Sequence, residues 1–210
     1  MLFALVVGEI AVQSASLTVP TLLPLKSFPA SYAHCVLSLL VVASSWVGWS
    51  RSQAPGHLKD THTVLSPQFV VMVIDLLLVV VYFFIAKGVD VVPLKDGGLK
   101  EIASAQNETL WIMVTFAGYG LWDLLTKWDK LKERRFRESR TDATIGCVVI
   151  AIVTYCFLHD ASSTGAVLLT DLALASLVLL FRALKQPARG WSWFLGSTCG
   201  LSLLVASWVG

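Results

Sequence analysis

This chain carries little charge. Charged residues fill 14% of its 210 positions, against about 25% in an ordinary soluble domain. With 56% hydrophobic residues and a mean hydropathy of +0.72, there is too little polar side chain to clothe a water-facing surface. Bilayer lipid is therefore the expected solvent. Cysteine is scarce as well. Cys35, Cys147, Cys156 and Cys199 all lie inside apolar runs and form no CxxC pair, which argues against a disulfide framework or a thiolate metal site and reads as small core residues. Neither a phosphate-binding glycine loop nor an HExxH or GxSxG signature occurs, so no enzyme activity, cofactor or metal centre is expected. The amino-terminal MLFALVVGEIAVQSAS has no basic residue, and Glu9 and Gln13 interrupt it; both features argue against a cleaved signal peptide.

What is present is a series of long apolar runs. A helix needs about 20 largely apolar residues to cross a bilayer, and six stretches meet or approach that: 31–50, 67–86, 107–126, 143–158, 164–182 and 191–209. A seventh, 2–19, is either a further span or a helix lying at the interface. Runs this long and unbroken exclude the short alternating strands of a membrane barrel. The seven prolines all fall at the ends of these runs or between them, as helix punctuation should. Asn107 and Glu108 are candidate caps for the fourth run, and Asp142 for the fifth. The fold class is thus all-α: a single polytopic integral membrane bundle over residues 1–210, with six transmembrane helices and a possible seventh.

The basic residues are distributed unevenly. Twelve lie in the loops after the second, fourth and sixth runs, counted from residue 1, and four lie on the opposite side. The positive-inside rule then places those three loops in the cytoplasm and the C-terminus outside, as in a bacterial-type plasma membrane. The densest patch is Lys127, Lys130, Lys132, Arg134, Arg135, Arg137 and Arg140. It is read as a basic amphipathic extension of the fourth helix, reaching about residue 138, that meets anionic lipid or recruits a soluble cytoplasmic partner. Asp129, Glu133, Glu138 and Asp142 dilute it, so nucleic acid is not an expected partner.

One aspartate stands inside the most apolar run, FVVMVIDLLLVVVYFF. A carboxylate at bilayer depth costs about 2.5–3.5 kcal/mol on insertion scales. Counting depth at about 1.5 Å per residue puts Asp75 level with Ser44, Ser45 and Tyr119, and close to Trp46. These five form the expected intramembrane polar cluster, lying toward the cytoplasmic side. Glu9 and Asp171 are further intramembrane acids, the latter on the other side of the midplane. His34 and His159 read as isolated residues near outer helix ends, and His57 and His62 as loop residues. Gly196 and Gly200 form a GxxxG face suited to close helix packing, within the chain or in a homo-oligomer. Acids in mid-membrane without matching bases point to a small oligomeric channel or transporter for a cation or protons. The alternative is a membrane-embedded sensor or anchor that uses the basic cytoplasmic face.

Overall fold

The computed structural model describes residues 2–18, 27–52, 66–126, 141–157, 163–185 and 192–209, and the structural statements below concern these. They form seven helices: α1 (Leu2–Thr18), α2 (Pro29–Ser52), α3 (Pro67–Lys87), α4 (Ala105–Thr126), α5 (Thr141–Phe157), α6 (Thr164–Lys185) and α7 (Ser192–Val209). A two-stranded antiparallel hairpin, β1 (Val91–Pro93) and β2 (Leu99–Glu101), joins α3 to α4. The chain is all-α apart from this hairpin. Three helical stretches, Pro29–Ser50, Phe69–Lys87 and Thr164–Lys185, are long and apolar enough to cross a membrane. The apolar parts of α1, α5 and α7 are shorter.

Local chemistry sets several boundaries. Ser66 accepts a hydrogen bond from the Phe69 N–H at 3.1 Å, with Pro67 at the first helical position of α3. That proline has no N–H to leave unsatisfied there. Helix α4 begins at Ala105, two residues before the start expected from hydropathy. Glu108 reaches back to accept from the Ser104 N–H at 3.0 Å, satisfying a donor that the first turn cannot. In the hairpin loop Gly97 has φ +83°, a conformation that side-chain-bearing residues rarely adopt, and Asp96 accepts from the Gly98 N–H at 3.0 Å. The hairpin is docked onto the bundle by Glu101, which accepts from the Ser31 N–H in the first turn of α2 at 2.9 Å.

Helix α6 is the central element. It packs most extensively on α7 and also contacts α2, α4 and α5, while α3 packs on α1, α2 and α4. The interior contains Leu37, Val41, Leu78, Ile112, Phe116, Leu174 and Leu177. The exterior is apolar too: Leu39, Leu76, Leu77, Val149, Leu172, Leu201 and Leu204 are exposed, whereas His34, Ser38, Ser45, Glu108, Asp123 and Asp171 are buried. An apolar exterior around a core that also buries charged side chains departs from the pattern of a water-soluble domain. Lipid on the outside explains it.

Candidate functional site

Three helices each carry a buried stripe with the same order of chemistry. On α2 it runs His34, Leu37, Val41, Ser45; on α4 Glu108, Ile112, Phe116 and then the half-buried Tyr119; on α6 Asp171, Leu174, Leu177, Phe181 and then the half-buried Arg182. Steps of three and four residues keep each stripe on one helical face. Because α2, α4 and α6 run in the same direction through the bundle, the charged ends of the stripes converge at the hairpin end. The hydroxyls and bases converge at the other.

At the hairpin end His34, Glu108 and Asp171 meet. Their relative exposures are 1%, 3% and 3%, so all three are inaccessible. His34 Nδ1 lies 3.2 Å from Glu108 Oε1 and 3.3 Å from Asp171 Oδ1. Its other ring nitrogen, Nε2, is 2.8 Å from the Ile85 carbonyl oxygen. A carbonyl only accepts, so Nε2 carries the proton and donates. Ile85 lies in the last turn of α3, where its carbonyl accepts from the Gly88 N–H at 3.1 Å and has a second lone pair free for the ring, so the end of α3 fixes the ring. Gly88 makes room for it: a Cβ there would fall 2.5 Å from His34 Cδ2 and Nε2. The second oxygens, Glu108 Oε2 and Asp171 Oδ2, are buried without a donor group, although the two carboxyls are within hydrogen-bonding reach of each other; Ser31 Oγ one turn before His34 and Thr170 Oγ1 beside Asp171 are likewise buried without a partner. So many unsatisfied atoms at one place are unusual in a folded interior.

The opposite end is held by bases. Arg182 Nε donates to Ser44 Oγ at 2.8 Å, and its guanidinium carbon stands 5.2 Å from the Phe181 ring centroid and 5.8 Å from that of Tyr119. These two rings stack at 5.3 Å. Ser45 and Tyr119 share a hydrogen bond, and Tyr119 is 3.2 Å from the Tyr82 hydroxyl. Lys185 pairs with Asp123, which also accepts from Thr144 Oγ1 at 2.9 Å. Asp171 and Arg182 are eleven positions apart, about 16 Å along the helix axis. Leu37, Val41, Ile112, Phe116, Leu174 and Leu177 fill the interval.

Of the five residues expected to cluster, Ser45 and Tyr119 meet, and Ser44 lies one position away on α2, bonded to Arg182. Trp46 is 44% exposed and packs its ring 5.6 Å from that of Trp49. Asp75 is half-buried with the Trp122 indole as its polar neighbour. Glu9 accepts from Gln13 Nε2 at 2.5 Å within α1. Asp171 is buried at the hairpin end, in the new cluster. A Cβ on Gly196 would lie 4.0 Å from Leu180, whereas Gly200 faces open space. The basic residues Lys127, Lys130, Lys132, Arg134, Arg135, Arg137 and Arg140, together with His57, His62 and His159, lie outside the described residues.

The structure corrects the expectation of an isolated His34. The ring is not at lipid or interface but turned inward between two acids. The signal was available in the helix limits. Counted from the run starts at 31, 107 and 164, the three lie three, one and seven residues in, all in the same half of the bundle, which an inventory of acids alone passes over. Glu108 makes the expected cap contact and also faces His34. Comparison with known protein families, with curated proteins and with solved structures returns no match.

Proposed function

We propose that this protein is a small plasma-membrane transporter for a cation or protons, with His34, Glu108 and Asp171 as its binding station. The observation that carries this reading is the placement of two carboxylates and an imidazole in the core of a bundle whose outer surface is apolar. Buried ionisable groups at bilayer depth are expensive to maintain and mark ion pathways by default. In this reading six helices cross the bilayer and α1 is a possible seventh. The hairpin end is outside, and the Arg182–Lys185 end is cytoplasmic, in keeping with the bias of basic residues toward that side.

The apolar layer of Leu37, Val41, Ile112, Phe116, Leu174 and Leu177 closes the route from the station to the cytoplasmic end. A continuous pore does not have such a plug, so passage requires alternating exposure of the station rather than free diffusion. Helix α6 is the natural moving part, since it bears Asp171 at one end and Arg182 and Lys185 at the other. Gly200, open on the surface of α7 beside the exposed Leu201 and Leu204, is the face we assign to a homo-oligomer contact.

Reconstituted liposomes test the reading. Asp171→Asn and Glu108→Gln should each lower proton or cation flux by more than about tenfold, the equivalent of about 1.4 kcal/mol. Asp75→Asn separates the two candidate stations and should retain most of the flux. Wild-type flux in Asp171→Asn, in protein that remains monodisperse, would remove the cluster from the path.

A further inference from the structure

The geometry points to a divalent transition-metal ion, of the zinc class, as the ion that His34, Glu108 and Asp171 bind. This inference rests on the permeation reading for the role of the station, but not for its chemistry. Three observations support it. The first is the pair of contact distances. A metal bound at about 2.0 Å by tetrahedral nitrogen and oxygen ligands holds those ligands about 3.3 Å from one another. His34 Nδ1 stands 3.2 Å from Glu108 Oε1 and 3.3 Å from Asp171 Oδ1, and all three ligand atoms lie within 4.8 Å of one another.

The second is the tautomer. Because Nε2 donates to the Ile85 carbonyl at 2.8 Å, Nδ1 is the ring atom that faces the two carboxylate oxygens, and in the neutral ring it presents its lone pair to them. Three such atoms facing one another need positive charge among them, which either a bound cation or shared protons supply. Metal-bound histidines characteristically donate their other ring N–H to a backbone carbonyl or carboxylate, which orients the lone pair. Ile85 supplies that carbonyl, and the Ser104 N–H orients Glu108 in the same way.

The third is charge and donor type. In the deprotonated state that metal ligation requires, two carboxylates and a neutral imidazole sum to −2, which one divalent ion neutralises in a core where uncompensated charge is costly. An imidazole nitrogen among the ligands disfavours magnesium and calcium, which take oxygen ligands in higher number, and favours zinc and its d-block neighbours. Glu108 Oε2 and Asp171 Oδ2, which have no donor group, allow either carboxylate to bind through two oxygens. Two protons shared among the three groups also reach neutrality, and that state is the competing outcome.

Purified, detergent-solubilised full-length protein is stripped with chelator and titrated with zinc, cobalt and magnesium chlorides. The metal content of the wild type is measured by mass spectrometry. Zinc should bind at one ion per chain, cobalt should show the absorption of a four-coordinate site, and magnesium should not compete. Glu108→Gln and Asp171→Asn should weaken zinc binding by more than about 100-fold, beyond the range seen when only an outer-shell partner is lost. If a variant does not fold, thermal unfolding of the wild type decides: zinc should raise its Tm and magnesium should not. A wild type that binds no zinc, or binds it equally in both variants, overturns the inference in favour of a proton-sharing triad. Flux is read separately. Zinc binding without transport keeps the site and removes the permeation reading, and transport of protons without zinc binding does the reverse.

Discussion

At the residue scale the most informative position is a glycine. Gly88 ends α3 with φ −65°, so its backbone does not demand glycine; the His34 ring does. A Cβ there would stand 2.5 Å from two ring atoms, and the ring cannot retreat without losing its bond to Ile85. Gly88→Ala should therefore cost about 1–3 kcal/mol, as overpacking of a tight interior does, and should weaken ligand binding at the station. Gly146, in the interior of α5, has nothing within 4 Å of its Cβ position. Gly146→Ala should instead be neutral or stabilise the helix by about 0.5–1 kcal/mol. Thermal unfolding of the two variants side by side checks the contrast. Neither effect was legible in the sequence, because both glycines look alike there. The difference lies in what a non-adjacent helix places opposite each one.

At the element scale Asp123 acts as the joint between three helices. It sits on α4 and receives both Lys185 from α6 and Thr144 from α5. Removing one partner of a buried pair leaves the other charge uncompensated, which costs about 3–5 kcal/mol, whereas replacing both by apolar groups is often neutral. Asp123→Leu should be strongly destabilising, and adding Lys185→Met should recover most of the loss. A double-mutant cycle in denaturant measures this coupling; additive losses would show that the pair does not act as a unit. The helices themselves were largely legible, since long apolar runs bounded by proline determine where helices form, and hydropathy is a local property. Pairing was less so. Depth counting brought Tyr119 to Ser45, but it set Asp75 beside them as well. Depth gives height in the bundle and not the direction a side chain faces, and Asp75 turns toward Trp122.

At the scale of the whole molecule the two polar ends define an axis. The hairpin end holds buried acids around one histidine, and the opposite end holds Arg182 and Lys185 against aromatic rings. With Arg182 and Lys185 set aside, the other basic residues still divide ten to four in the same sense between the loops. Agreement between a core property and a loop property is what a fixed orientation in a membrane produces, because headgroup charge and translocation act on both. It yields a test of orientation independent of any transport assay. On a background with the four native cysteines replaced, Lys95→Cys in the hairpin loop should react with a membrane-impermeant maleimide added to intact spheroplasts. Arg135→Cys should react only after permeabilisation. Reaction of both from the same side would leave an odd number of crossings between them impossible, and with it the opposed ends of α4. Reaction of Arg135→Cys alone from outside would reverse the orientation while leaving the bundle and its buried cluster intact.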